Sequence, residues 1–186
     1  MSWLRTSTAI GAALTIGCGA TACGGNSGPR TFSAKGIGLS FSYPSELSPG
    51  KLKSIDVHAG ATAVAHGVVG LGSSHTSHDF LLISRFALYV PVTPTEIPKL
   101  RAAADQVVSQ LASATMTGSP VQIAGRPGLE FPLLRPRGSI TVKIYYLFVP
   151  GSVVPGTAYE LNCQWDDHPA VIQRACQQML RTIKVK

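Results

Sequence analysis

Three consecutive stretches decide the fold: Ile140–Phe148 (ITVKIYYLF), Tyr159–Trp165 (YELNCQW) and Pro169–Ile183 (PAVIQRACQQMLRTI). In the first, Ile140, Val142, Ile144, Tyr146 and Phe148 alternate with Thr141, Lys143 and Tyr145, the period of two that gives a strand one buried face. Pro150-Gly151 closes it. In the second, Tyr159, Leu161, Cys163 and Trp165 fall on one face by the same rule. The third changes period. Val171, Ile172, Ala175, Cys176, Met179, Leu180 and Ile183 recur at spacings of three and four, an apolar helical stripe. Asp166 or Asp167 is expected to cap that helix, and Pro169 suits its first turn, where the missing N–H is no loss. Strand, strand and helix in this order predict a hairpin covered by a returning helix.

Moving towards the N-terminus, a second helix is expected from Thr95, as N-cap, to about Thr115. Ile97, Leu100, Ala104, Val107, Val108 and Leu111 form its apolar side, with Lys99, Arg101, Gln106 and Gln110 opposite. Between the helices, Val121–Ala124 and Leu129–Leu134 flank Gly125-Arg126-Pro127-Gly128, which reads as the turn of a hairpin. Phe80–Val90 is an apolar run with one internal charge, Arg85, and reads as a central strand. Residues 61–71 suit another strand, and Ser73–Ser77 break the pattern. Leu39, Phe41 and Tyr43 alternate with Ser40 and Ser42, and Pro44–Gly50 carries turn chemistry. Strands, helix, strands, helix predict an α+β fold, an antiparallel sheet with two main helices packed on it, over residues 31–186.

The 186-residue chain is 45% hydrophobic but only 13% charged, and its formal net charge is +7. Its cations are scattered singly, without a basic stripe interleaved with aromatics, which argues against nucleic acid as a partner. An anionic surface such as phospholipid or phosphorylated wall polymer suits the charge better. Arg5 precedes an uncharged, Ala- and Gly-rich segment, Thr6–Ala22, with the layout of a secretory signal and too little apolar length for a spanning helix. The segment ends in two cysteines after small residues, Leu14-Thr15-Ile16-Gly17-Cys18 and Ala20-Thr21-Ala22-Cys23, and each resembles the bacterial lipobox. Cys23 is preferred as the acylated residue because the flexible run Gly24-Gly25-Asn26-Ser27-Gly28 follows it and because its use leaves an even number of cysteines. Cys18 has the better leucine context and is the alternative. This divides the chain into a signal peptide (1–22), a lipidated cysteine with a tether (23–30) and one domain (31–186), placed on the extracytoplasmic face of the cell membrane.

Cys163 lies on the apolar face of its strand and Cys176 on the apolar face of the following helix. In an oxidising compartment a helix folded back over its own strand would join them in a disulfide.

Several segments resemble PsbP-like domains. Phe32-Ser33 through Gly36-Ile37-Gly38-Leu39-Ser40-Phe41-Ser42-Tyr43-Pro44 is similar to the opening of that family, Ile123-Ala124-Gly125-Arg126-Pro127-Gly128-Leu129-Glu130 to its hairpin, and Ala158-Tyr159-Glu160-Leu161 with the closing helix to its end. Glu46-Leu47 stands where the family often has a tryptophan. With its lipobox, the whole layout resembles actinobacterial envelope lipoproteins of the LpqN/LpqT type. The resemblance implies an α/β/α sandwich with a binding or assembly role, and it carries over no catalytic residue.

His75 and His78, with Asp79 adjacent, form the only local set with metal-ligand character, but Gly72, Ser73, Ser74 and Ser77 make the segment a loop, and no metal or other cofactor is expected. Arg135-Pro136-Arg137 reads as a small basic turn able to touch anionic lipid or polymer. No G-x-S-x-G element or cysteine–histidine pair suggests a nucleophile, so no catalytic residue is assigned. The expected role is a non-enzymatic binding or assembly module of the envelope, taking a lipid, a glycolipid or a protein partner. The alternative is a hydrolase or transferase acting on wall polymer or lipid.

Overall fold

The computed structural model describes residues 28–50, 65–71, 78–151 and 155–186. The segment read as a secretory signal, Cys18, Cys23 and His75 lie outside these residues, as do residues 61–64 of the strand expected over 61–71. The elements are β1 (Arg30–Ser33), β2 (Leu39–Tyr43), β3 (Leu47–Gly50), β4 (Ala65–Leu71), β5 (Phe80–Leu88), α1 (Ile97–Ala112), β6 (Ser119–Ile123), β7 (Arg126–Glu130), β8 (Leu134–Arg137), β9 (Ile140–Pro150), β10 (Gly156–Trp165), α2 (Pro169–Thr182) and β11 (Lys184–Val185).

An antiparallel sheet runs β3-β4-β5-β10-β9-β7-β6, and β8 continues beside β9 where β7 leaves it. The hairpin read from the sequence is its centre: β10 pairs with β9 from Gly156↔Pro150 to Trp165↔Thr141 and with β5 along its other edge. Helix α1 covers one face. There Leu100, Ala104 and Val108 pack on Phe86, Phe131, Ile144, Tyr146 and Phe148. The other face carries α2 together with a second sheet, β1-β2-β11, which buries Phe32, Phe41, Tyr43, Ile172 and Met179 against Leu81, Ile83, Leu147 and Leu161. The result is a three-layer α+β sandwich.

From Tyr146 to Val149, β9 is therefore buried on both faces. Leu147, opposite Tyr146 and Phe148, is as inaccessible as they are. The strict alternation expected for this strand fails beyond Tyr146, because two layers rather than solvent flank the sheet. Leu39–Tyr43 belongs to the second sheet, where each of Leu39, Phe41 and Tyr43 faces inward as predicted. That sheet docks closely because β4 presents Gly67. A Cβ at that position would collide with the Phe32 ring.

Several boundaries differ from expectation. Leu47–Gly50 pairs with β4 as an edge strand instead of turning, and Pro49 is tolerated there because an edge leaves its missing donor unneeded. The turn of the β6–β7 hairpin is Ala124-Gly125, not residues 125–128, and Arg126–Gly128 are already strand. Both turn residues have positive φ, 52° and 70°. That is the mirror-image turn matched to strand twist, and Asn-Gly fills it best. Ala124→Asn should raise unfolding free energy by about 0.5–1 kcal/mol, since alanine in the left-handed region is strained. Urea unfolding would check it; a fall in stability would contradict the turn assignment.

β7 stops at Glu130, and Pro132 separates it from β8. Arg135-Pro136-Arg137 lies within β8, so the basic turn expected there is a strand; the turn that follows is Gly138-Ser139. α1 ends at Ala112, because Ser113 adopts φ 51° and its N–H returns to the carbonyl of Gln110. The N-cap is Glu96, not Thr95. The carbonyl of Thr93 accepts the N–H groups of both Glu96 and Ile97, so the preceding turn runs straight into the helix and no side-chain cap is made.

Candidate functional site

α2 is placed by two long-range devices. Asp166 and Asp167 do not cap it; its N-cap is His168, without a side-chain cap bond. The acceptor at the entrance to the helix comes from Asp79, just before β5. Asp79 is 2% exposed, and its Oδ1 accepts the N–H groups of Asp166 (3.1 Å) and His168 (3.0 Å), while Oδ2 lies 3.1 Å from His168 Nδ1. A carboxylate at the positive end of a helix suits both the orphan donors and the dipole. Further along, Cys176 is joined to Cys163 on β10 by the predicted disulfide, with Cα atoms 6.0 Å apart.

Beside this fixed helix runs a groove of about 250 Å³ lined by Leu133, Lys143, Tyr145, Trp165, Gln173, Cys176 and Gln177. It arises from topology. α2 packs on β2, β10 and β5, and Lys143 and Tyr145 of β9, beyond them, stay only half-buried. Trp165 is nearly buried and forms part of the wall, whereas Leu133 is 58% exposed at the rim. Gln173 and Gln177, one helical turn apart, are exposed along the helix side. Opposite them, Lys143 Nζ sits 2.6 Å from the carbonyl oxygen of Phe131 and 2.7 Å from Glu130 Oε1, and 5.5 Å from the Tyr145 ring centroid. Burial and the neighbouring Glu130 push the Tyr145 hydroxyl up to about 12, so it remains a neutral donor at physiological pH. Indole, phenol, leucine and two amides make a surface that can hold a partly apolar molecule and hydrogen-bond its polar part. The lining residues include no histidine, serine or carboxylate.

The residues weighed from sequence are not brought together here. His78 is exposed, with Nδ1 3.5 Å from Gln164 Nε2. Arg135 is exposed on β8 and does not line the groove. Among the described residues no group of three metal-ligating side chains occurs. Asp79, read as a neighbour of the histidine loop, instead serves α2.

Sequence reasoning also missed a polar pair beneath α1. Glu160 stands opposite Tyr146 in the β9–β10 register, and the Tyr146 hydroxyl donates to Glu160 Oε2 at 2.7 Å. Burial raises the Glu160 carboxyl above its ordinary value, and hydrogen bonds from Tyr146 and Asn162 offset part of that. Burial likewise raises the Tyr146 phenol. A carboxylate whose folded-state pKa is raised destabilises the fold once ionised. That penalty is absent below the unfolded pKa and complete above the folded one. Glu160→Gln should therefore gain stability over the native chain at pH 7, and that gain should fade as the pH falls through the raised folded-state value and be gone by about 4. Urea midpoints at the two pH values would test this; an advantage that persists in acid would contradict it.

No family model matches the chain, and no curated protein does. Solved structures do. Cyanobacterial PsbP from Synechocystis sp. PCC 6803 superposes with a TM-score of 0.50 at 13% identity, covering 91% of this chain and 99% of that one. LpqN of Mycobacterium tuberculosis, described as involved in cell envelope biogenesis, superposes with a TM-score of 0.53 at 13% identity, covering 88% and 87%. A Bacteroides thetaiotaomicron protein matches with a TM-score of 0.49 at 12% identity, and the chain spans about half its length, 48%. The fold is thus PsbP-like, as the opening and hairpin motifs implied. Among the described residues no helix is long and apolar enough to cross a membrane.

Proposed function

We propose that this chain is a lipid-anchored module of the cell envelope, tethered through Cys23 to the extracytoplasmic face of the cytoplasmic membrane, which binds a lipid, glycolipid or protein partner without transforming it. The observation that carries this reading is the groove along α2, open to solvent and lined by an indole, a phenol, a leucine and two amides. Two further facts support it. The Cys163–Cys176 bond belongs to oxidising compartments, and LpqN, of the same fold, is described as involved in cell envelope biogenesis. Kinship with the actinobacterial LpqN/LpqT type is part of the same proposal. Native mass spectrometry of protein taken from its own membranes tests it. A co-purifying molecule is expected, and it should be lost from Gln177→Trp, which fills the groove from an exposed helix position. Apo protein alone, with no partner on cross-linking, would count against the reading.

A further inference from the structure

The charge of the mature domain is segregated in the fold. Residues 29–45 and 169–186 build the layer of β1, β2, α2 and β11, and they contain Arg30, Lys35, Arg174, Arg181, Lys184 and Lys186 with no aspartate or glutamate. The rest of the chain from Cys23 onward holds nine cations and nine carboxylates, so the whole excess of positive charge lies on this one layer. Much of it points outward. Val185 packs on the core, which turns its neighbours Lys184 and Lys186 to the exposed face. Lys186 Nζ reaches across β2 to Ser33 Oγ at 2.7 Å. Ser40 and Ser42, alternating with the buried Leu39, Phe41 and Tyr43, complete a hydroxyl-bearing surface. Lys35 and Arg181 are exposed at its ends. Among the described residues of this layer only Arg174 meets a carboxylate, Glu46, at 2.8 Å. By contrast, the charged groups of α1 on the far face are matched, Lys99 with Glu96 and Arg101 with Asp105.

We infer that the outer face of the β1-β2-β11 sheet rests on the membrane, its lysines among anionic phospholipid headgroups, so that the opposite, α1 side faces away. The inference rests on the lipid anchor proposed above. β1 begins at Arg30, seven residues after Cys23, and so short a tether spans at most about 25 Å. The face joined to the tether is thereby held at high local concentration against the bilayer, near enough for repeated encounters inside a Debye length of about 8 Å. Lysines with headgroup phosphates in reach, in segments without aspartate or glutamate, are the chemistry such a surface selects. Hydroxyls of Thr31, Ser33, Ser40 and Ser42 add donors for the same oxygens.

The test is a brief lysine-acetylation footprint of the purified full chain on phosphatidylcholine vesicles with or without phosphatidylglycerol. With the anionic lipid, labelling of Lys35, Lys184 and Lys186 should fall by about fivefold or more. Lys99 should be unchanged, and high salt should remove the difference. Lys184→Gln with Lys186→Gln, both at exposed positions, should restore labelling of Lys35. Equal labelling of the three lysines on both vesicles would overturn the inference, as would protection by soluble polyphosphate with none by vesicles. The mass of the N-terminal peptide from the same sample separates the two readings. If it carries no acyl chain the anchor fails; the face then stands if the chain still sediments with phosphatidylglycerol vesicles and the double variant does not, and falls if neither does.

Discussion

Asp79→Ala should lower the unfolding free energy by about 3 kcal/mol, a large effect for a residue outside every helix and strand. The removed carboxylate accepts two backbone N–H groups at the start of α2 and pairs with His168. Hydrogen bonds to a charged group contribute about 1.5–3 kcal/mol each, but His168 is 57% exposed and its share is small. Removal also leaves two donors unsatisfied beside a buried site. Asp79→Asn, which keeps one oxygen acceptor and loses the charge, should cost about half as much. Urea unfolding of both variants would show this. A loss below about 1 kcal/mol for the alanine variant would mean that the helix start is held by other contacts.

The second large effect concerns the disulfide. Replacing both Cys163 and Cys176 by alanine should lower stability by about 3 kcal/mol, the chain-entropy value for a loop of this size. Reductant should produce a similar loss in the native chain and none in the double variant. Insensitivity of the native chain to reductant would show that the two sulfurs are not joined. Asp79 and the disulfide fix the same helix at its beginning and its middle, so both variants should also loosen the groove that Gln173, Cys176 and Gln177 line.

The parts of this fold that could be read in advance are those written locally. The β9–β10–α2 succession, the apolar stripe of α2 and the facing cysteines follow from period and parity in adjacent segments, and the structure contains each of them. What stayed hidden depends on distant chain. Asp166 and Asp167 had the chemistry of a cap, but neither caps, and the segment entering the helix is held by a carboxylate 87 residues before Asp166. Leu39–Tyr43 displayed the right face, yet nothing in five residues says that its partners are Arg30–Ser33 and Lys184–Val185 rather than the central sheet. Glu160 and Asn162 looked like the solvated side of a strand, because α1, which covers that side, comes from a separate part of the sequence. The groove's indole and amides come from β10 and α2 together, which no single stretch of sequence displays. The charge-bearing layer could have been found by counting, since residues 29–45 and 169–186 lack acids, but their adjacency is a property of the fold.

Anchorage at the envelope is the claim on which the rest depends, and intact-mass and peptide analysis of the protein from fractionated cells addresses it most directly. The account predicts membrane-bound protein beginning at Cys23, with that residue diacylglyceryl-modified, and an unprocessed chain when Cys23 is changed to alanine. A cytosolic chain that retains Met1, bears no fatty acid and has free thiols at Cys163 and Cys176 would contradict it.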